Sequence, residues 1–379
     1  MNEEDFFYNA VAITLFGDRR SIGKAKQCSA SWAEAYSGML GRIRNGSANL
    51  FPSEKGMPKQ PIPDPERSAR ELEDTGVRIL LSTNPKFPKP LREIPHPPYA
   101  VYIKGDIPEA RMNVGRTIAI VGTRRATEEG KTLARRFGAT LSSAGFAITS
   151  GLAFGIDVAG HEGCLAAHGG PAIAVLAGGL AKIHPRNHEK LAGKILASGG
   201  ALVSEYPLHE APLSRRFIER NRLVSGLSQG VLVIEAPERS GALSTARFAF
   251  EQNRDIFVLP GGISQKNYRG SNRLIQQGAE LITSPEDIFE TYGMVIKNPP
   301  GKTAGYERHI AADGVLTPEE RIVLEAIAHT EKGGEPPPDV DKISAMAKLE
   351  PRIVNQTLAF LIMKDIVKEN ADGFIMNNE

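Results

Sequence analysis

From residue 117 to about residue 292, short apolar runs alternate with stretches of helix length, and few folds other than a layered α/β sheet can absorb that alternation. The runs fall at 117–121, 146–149, 172–176, 201–204, 231–235, 256–259 and 280–283. Most are unbroken series of Val, Ile, Ala, Leu or Phe rather than an apolar–polar alternation. Strands of that kind are buried on both faces, as in a parallel sheet. Between them, segments such as 128–143 and 243–252 have the length and amphipathic pattern of the crossover helices that parallel strands require. The expected fold class is α/β: a doubly wound, mostly parallel Rossmann-like sheet over about 113–292.

Proline marks the edges of this region. Five prolines lie between residues 51 and 66 and six between 84 and 98, so neither stretch can be a helix interior. A short helix at 67–76 and a strand at 77–81 are expected between them. With 379 residues the chain has room for more than one domain. The expected division is a helical N-terminal region at 1–65, an extended Rossmann-like domain at 66–292, a linker at 293–314 and a winged-helix-like domain at 315–379. Cys28 and Cys164 are the only cysteines and lie far apart, which argues against a disulfide framework or a structural zinc. His161, His184 and His188 have no persuasive metal spacing, and no metal or other cofactor is expected. The chain lacks an apolar run of membrane-spanning length, and its start is acidic, so a cytoplasmic location without membrane contact is expected.

Lys plus Arg number 46 against 44 Asp plus Glu, a net charge of only +2, so any polyanion surface has to come from local clustering. The densest cluster is Ser214-Arg-Arg-Phe-Ile-Glu-Arg-Asn-Arg222, four arginines around one aromatic. Arginine offers phosphate a charged planar fork, and Phe217 offers a face on which a base stacks; the same pattern also fits a solvated helix face. Open α/β sheets bind ligands beyond the carboxyl ends of their strands. There the sequence places Gly122-Thr-Arg-Arg125, Ser150-Gly-Leu-Ala-Phe-Gly-Ile-Asp157, Ser204-Glu-Tyr-Pro207, Glu235-Ala-Pro-Glu-Arg-Ser-Gly-Ala242 and Pro260-Gly-Gly262, the last followed by Tyr268-Arg-Gly-Ser-Asn272. Five such loops are expected to converge on one rim, with glycines admitting a ligand to the main chain and helix starts offering amides. Asp157, Glu205 and Glu235 are either acid/base groups or, the favoured reading, groups that cap helices and orient arginines.

Three other signatures fail. Gly122 to Gly130-Lys-Thr132 has too wide a glycine spacing for a P-loop. Gly226-Leu-Ser-Gln-Gly230 has its helix and strand in the wrong order for a nucleophile elbow. No G-x-G-x-x-G follows the first strand, so a conventional dinucleotide site is not expected.

The order Val121-Gly-Thr-Arg124, Ser150-Gly-Leu-Ala-Phe-Gly-Ile-Asp157, Ala174-Val-Leu-Ala-Gly-Gly-Leu180, His184-Pro-Arg-Asn187, Ser204-Glu-Tyr-Pro207, Phe217-Ile-Glu-Arg-Asn-Arg222 and Ser240-Gly-Ala242 resembles the DNA processing protein A family (DprA/Smf) over about 66–292. The resemblance implies a bacterial, non-enzymatic protein that binds single-stranded DNA, protects incoming strands in natural transformation and helps load the RecA recombinase. It also implies a homodimer or a higher assembly on DNA. Carried over by position, the strand-binding pocket comprises Gly122, Thr123, Arg124, Ser150, Gly151, Gly155, Arg186, Phe217, Arg220, Asn221, Arg222, Ser240 and Gly241. Asp157 and Glu235 are expected to hold arginines in place. The chain departs from the family pattern at His184-Pro185 and Phe217-Ile218. Residues 6–46 show helical stretches but also lack the hairpin glycine pattern of the helix-hairpin-helix with which many members begin.

After the linker, Thr317-Pro-Glu-Glu320 reads as a capping-box helix start. Helices near 340–347 and 351–364 and a hairpin at 366–375 complete a winged-helix order. With one arginine in Pro351-Arg-Ile-Val-Asn-Gln-Thr357, protein contact is the preferred reading of this module over duplex contact. The alternative function is a nucleotide hydrolase of phosphoribohydrolase type, with Glu205 or Glu235 as its carboxylate; a sequence-selective duplex binder is a third.

Overall fold

The computed structural model describes residues 2–44, 63–107, 116–167, 170–294, 318–332, 336–363, 366–370 and 373–376. Most of the proline-rich stretch at 51–66, nearly all of the expected linker, and residues 371 and 372 within the expected hairpin lie outside them. The chain forms two compact units, 1–302 and 303–379.

The first unit begins with three helices, α1 (Glu3–Thr14), α2 (Arg19–Gln27) and α3 (Trp32–Arg44), followed by α4 (Pro65–Asp74). The strands β1 (Val77–Leu81) and β2 (Ala100–Gly105) flank a single-turn helix, α5 (Lys89–Arg92). Then come β3 (Thr117–Val121), α6 (Glu128–Ser143), β4 (Ala147–Ser150), α7 (Ile156–Ala167), β5 (Ala172–Leu176), α8 (Glu189–Ala197) and β6 (Ala201–Ser204). The unit closes with α9 (Ser214–Gly226), β7 (Gly230–Val233), α10 (Gly241–Glu251), β8 (Asp255–Val258), α11 (Arg269–Gln276), β9 (Glu280–Leu281) and α12 (Pro285–Thr291).

The nine strands form one sheet in the order β1-β2-β6-β5-β4-β3-β7-β8-β9. Strand β2 runs antiparallel to both β1 and β6, while every pair from β6 to β9 is parallel. The doubly wound, mostly parallel sheet expected from the apolar runs is therefore present. Its strands alternate their side chains between two buried layers, as a period of two dictates. On β3, Ile118 and Ile120 face one core while Ala119 and Val121 face the other. Helices α6, α7 and α8 cover the first layer and α9 and α10 the second.

Two local features differ from expectation. Strand β2 was not anticipated, yet Ala100 to Ile103 are fully buried. Its apolar run follows directly on the six-proline stretch and has no crossover helix beside it, because it joins the sheet as an antiparallel strand. The prolines themselves behave as expected: α4 and α5 both carry proline in their first turn, where no amide donor is lost. Helices α1 to α3 share the first core layer with the sheet through Tyr8, Val11, Ile22, Trp32 and Met39. A buried hydrogen bond of 2.9 Å from the Tyr102 hydroxyl to Asn9 Oδ1 ties α1 to β2.

The second unit contains α13 (Pro318–Lys332), α14 (Val340–Ala347), α15 (Pro351–Met363) and an antiparallel pair, β10 (Val367–Asn370) and β11 (Gly373–Met376). Val323, Ile327, Ile343, Val354, Leu358 and Leu361 form its core. Among the described residues of the whole chain, no helix is long and apolar enough to cross a membrane.

Candidate functional site

Strand β3 lies between β4 and β7, and the chain leaves it toward α6 on one face whereas β7 continues into α10 on the other. Loops that diverge in this way open a crevice beyond the strand ends. A cleft of about 630 Å³ occupies that place. One wall is the loop after β3, from Gly122 to Arg125. Gly151, Ala153 and Asp157 of the β4 loop contribute, and α9 closes the opposite side with Phe217, Arg220 and Asn221. Arg239, Ser240 and Gly241 bring in the start of α10.

The β3 loop is held from below. Thr123 donates its amide to the Glu235 carbonyl at 2.7 Å, and Thr127 caps α6 by accepting from the Gly130 amide. The Glu235 carboxylate, fully buried, accepts from the Thr127 amide at 3.1 Å and from the Thr127 hydroxyl. It also accepts from the Asn267 side chain at 3.0 Å. Glu235 thus fixes the loop through neutral donors and has no arginine partner among the described residues, contrary to the expected role. Asp157 accepts from the amides of Gly151 and Ala153 at 3.0 and 3.3 Å. Burial raises its pKa, opposed by the nearby Arg220 charge and by those amides.

The arginine cluster behaves differently from its sequence reading. Arg216, Arg220 and Arg222 are all buried. Arg216 pairs with Glu210 at 2.9 Å, donates to the carbonyls of Ala211 and Phe16, and lies over the Tyr206 ring. Arg222 donates to both carboxylate oxygens of Glu205 and does not line the cleft. Arg220 reaches the floor of the cleft but is spent on the carbonyls of Gly151 and Val175, which a helix crossing strand ends would otherwise leave without donors. Burial lowers its pKa to about 10, with Asp157 opposing the fall, so it stays charged at neutral pH.

The accessible positive charge comes instead from loops. Arg124, Arg125 and Arg239 line the cleft, are exposed and form no ion pair with a described residue. The Arg124 guanidinium lies 5.0 Å from the centre of the Phe217 ring, a cation–π arrangement that sets an aromatic face and a phosphate-binding group side by side. Asn221 anchors α10 to α9 through Ser244 at 2.8 Å, and Ser240 caps α10. An adjoining recess is lined by Gly178, Gly179, Lys182 and His184, whose ring meets Phe217 edge-on at 5.8 Å.

Of the residues named from sequence, Gly122, Thr123, Arg124, Gly151, Phe217, Arg220, Asn221, Ser240 and Gly241 come together in the cleft. Ser150 does not: its hydroxyl is buried on the Ile120 carbonyl at 2.6 Å. Gly155 packs under the β3 loop with φ +80°, and Arg186 lies exposed in a turn outside the cleft. Only three of the five expected loops line the cleft: the residues after β6 are not among its lining, and the segment after β8 supports the β3 loop instead, Asn267 donating to the Arg125 carbonyl at 3.2 Å. Arg125 and Arg239 are site residues that the sequence motifs alone do not single out, although both stand in the rim segments 122–125 and 235–242.

The family model described as DNA recombination-mediator protein A matches residues 78–293, more than half of the chain. The sequence is 44% identical over 225 residues to the protein Smf of Escherichia coli (strain K12), and the alignment spans 59% of each protein, less than two thirds of that relative. The fold is similar to the X-ray structure of DNA processing protein A from Streptococcus pneumoniae, with a TM-score of 0.61 and 26% identity over 76% of this chain and 98% of that one. It is also similar to DNA processing protein A from Helicobacter pylori, a structure described for its single-stranded DNA binding mode. There the TM-score is 0.50 and the identity 30% over 57% of this chain and 95% of the other. These matches and the seven motifs in order agree: the chain belongs to the DNA recombination-mediator protein A family.

Proposed function

We propose that the cleft binds single-stranded DNA, that this binding is not coupled to catalysis, and that the protein presents the strand to RecA during recombination and natural transformation. The observation that carries the binding step is the Arg124–Phe217 pair, flanked by Arg125 and Arg239. Phosphates bind to such arginines whatever the sequence, and a base stacks on the aromatic face for about 1–3 kcal/mol. The single-stranded DNA binding described for the H. pylori relative supports the reading. So does the position of the acids: Glu205 and Glu235, which a hydrolase would need at its substrate, do not line the cleft. Asp157 does line it, but amides and Arg220 occupy its surroundings. The second unit is read as a winged-helix module for protein contact.

Fluorescence-anisotropy titration of a labelled oligothymidylate over a salt series tests this. If Arg124, Arg125 and Arg239 each meet a phosphate, the slope of log affinity against log salt is about −2, and Arg124→Ala or Arg239→Ala each reduces its magnitude by about 0.7. Duplex and mononucleotide competitors should displace the strand poorly. Unchanged affinity when Arg124→Ala and Arg239→Ala are combined, or release of base from a nucleoside monophosphate, would overturn the proposal.

A further inference from the structure

The loop after β4 carries a second aromatic that the cleft does not use. Phe154 is 43% exposed, next in sequence to the cleft residue Ala153. A lone exposed phenylalanine is unremarkable, but this one is held outward by a built loop. Leu152 and Gly155 on either side adopt left-handed backbone, φ +54° and +80°, and Asp157 ties down the amides of Gly151 and Ala153. His188 donates a 2.8 Å hydrogen bond from Nδ1 to the Leu152 carbonyl and sets its ring edge-on to Phe154 at 4.6 Å.

The segment 182–188 physically connects the two aromatics. His184 touches Phe217 and His188 touches Phe154. These histidines stand four positions apart, so their Cα atoms lie at most about 14 Å from each other, a span of a few nucleotides. Between and beside them stand Lys182, Arg186 and Lys190, all exposed and outside any ion pair with a described residue, against the single acid Glu189. Cations interleaved with exposed rings, continuous with a basic cleft, are what a single strand requires and what a mononucleotide does not.

We propose that a single strand leaving the Arg124–Phe217 cleft continues across this segment to a second stacking site at Phe154, with Arg186 and Lys182 meeting its phosphates. This inference rests on the single-strand reading of the cleft and extends it to a path. It also gives Arg186 a role in binding from outside the cleft.

The test uses the full chain with oligothymidylates of about four and about twelve nucleotides, the span of single-strand site sizes. Phe154→Ala should leave affinity for the short strand unchanged and weaken the long strand about tenfold or more, whereas Phe217→Ala should weaken both. Phe154→Trp should restore long-strand affinity. Its emission should be quenched by the long strand and not by the short one, the chain's single natural tryptophan, Trp32, being buried. If Phe154→Ala binds the long strand like the natural protein while Phe217→Ala does not, the path is wrong and the cleft reading stands. If the natural protein binds neither strand, both fall.

Discussion

Arg216 and Arg220 stand four residues apart on α9, and Leu223 and the cap residue Leu227, at steps of three and four, continue the helical period. That stripe faces the sheet, so two of the four clustered arginines belong to the helix's buried side. The helical period that buries them is present in the sequence, but charge density alone does not carry it, and a run of arginines has the same composition as a phosphate site. Arg222 sits on another face, paired with Glu205 among buried groups. Breaking a buried ion pair from one side leaves an uncompensated charge, which costs about 3–5 kcal/mol. Glu205→Gln is therefore expected to lower unfolding stability by about that amount in urea titrations. Glu205→Gln combined with Arg222→Met should recover much of it, and the double variant should keep its affinity for single strands. Loss of binding in a well-folded double variant would put Arg222 back into the interface.

The elements were legible where the backbone pattern decides them and obscure where a loop's direction does. Strands β3, β5 and β6 and helix α6 begin and end where the apolar runs and the Thr127 cap place them. What each glycine in the rim loops is for could not be read, because that depends on what the missing side chain would meet. Gly155 reads from sequence as a ligand-contacting position; a Cβ there would come within 2.3 Å of the Thr123 carbonyl oxygen and 2.9 Å of that of Arg124. Gly155→Ala therefore strains a left-handed residue and displaces the β3 loop, for an expected loss of about 3 kcal/mol. Affinity for single strands should fall with it, because Arg124 rides on that loop. Gly199 offers the matched control: φ is +79°, yet nothing lies within 4 Å of a built Cβ. Gly199→Ala should cost only about 1 kcal/mol and leave binding untouched. Equal losses from the two substitutions, measured by thermal melting and anisotropy, would mean that crowding at the loop is not what Gly155 avoids.

At the scale of the molecule, α1 to α3 share one core layer with the sheet, through residues that precede the proline-rich stretch used to divide the sequence. Proline content reports a break in regular structure but not whether the packed core stops there. Trp32 lies in that shared layer, with Ile156, Ala159 and Cys164 of α7, so its fluorescence follows the unfolding of the first unit as a whole. Helix α7 also holds the group that should make this unit sensitive to acid. His161 is fully buried, and neither ring nitrogen finds a hydrogen-bond partner among the described residues. Burial, helped by the charge of His188, lowers its pKa from 6.5 to about 3. The folded chain therefore keeps His161 neutral down to about pH 3, while the unfolded chain takes up a proton below 6.5. Its contribution to stability is complete above pH 6.5 and is lost as pH falls through that window, at up to about 1.4 kcal/mol per unit. Between pH 7 and pH 5 the loss from this residue is about 2 kcal/mol. His161→Leu removes the titration and the unsatisfied nitrogens together, so the difference in urea-unfolding stability between the two pH values should shrink by about that amount. If the variant and the natural protein lose the same stability over that interval, His161 is not the acid-sensitive group, and a water or neighbour must be satisfying its ring in solution.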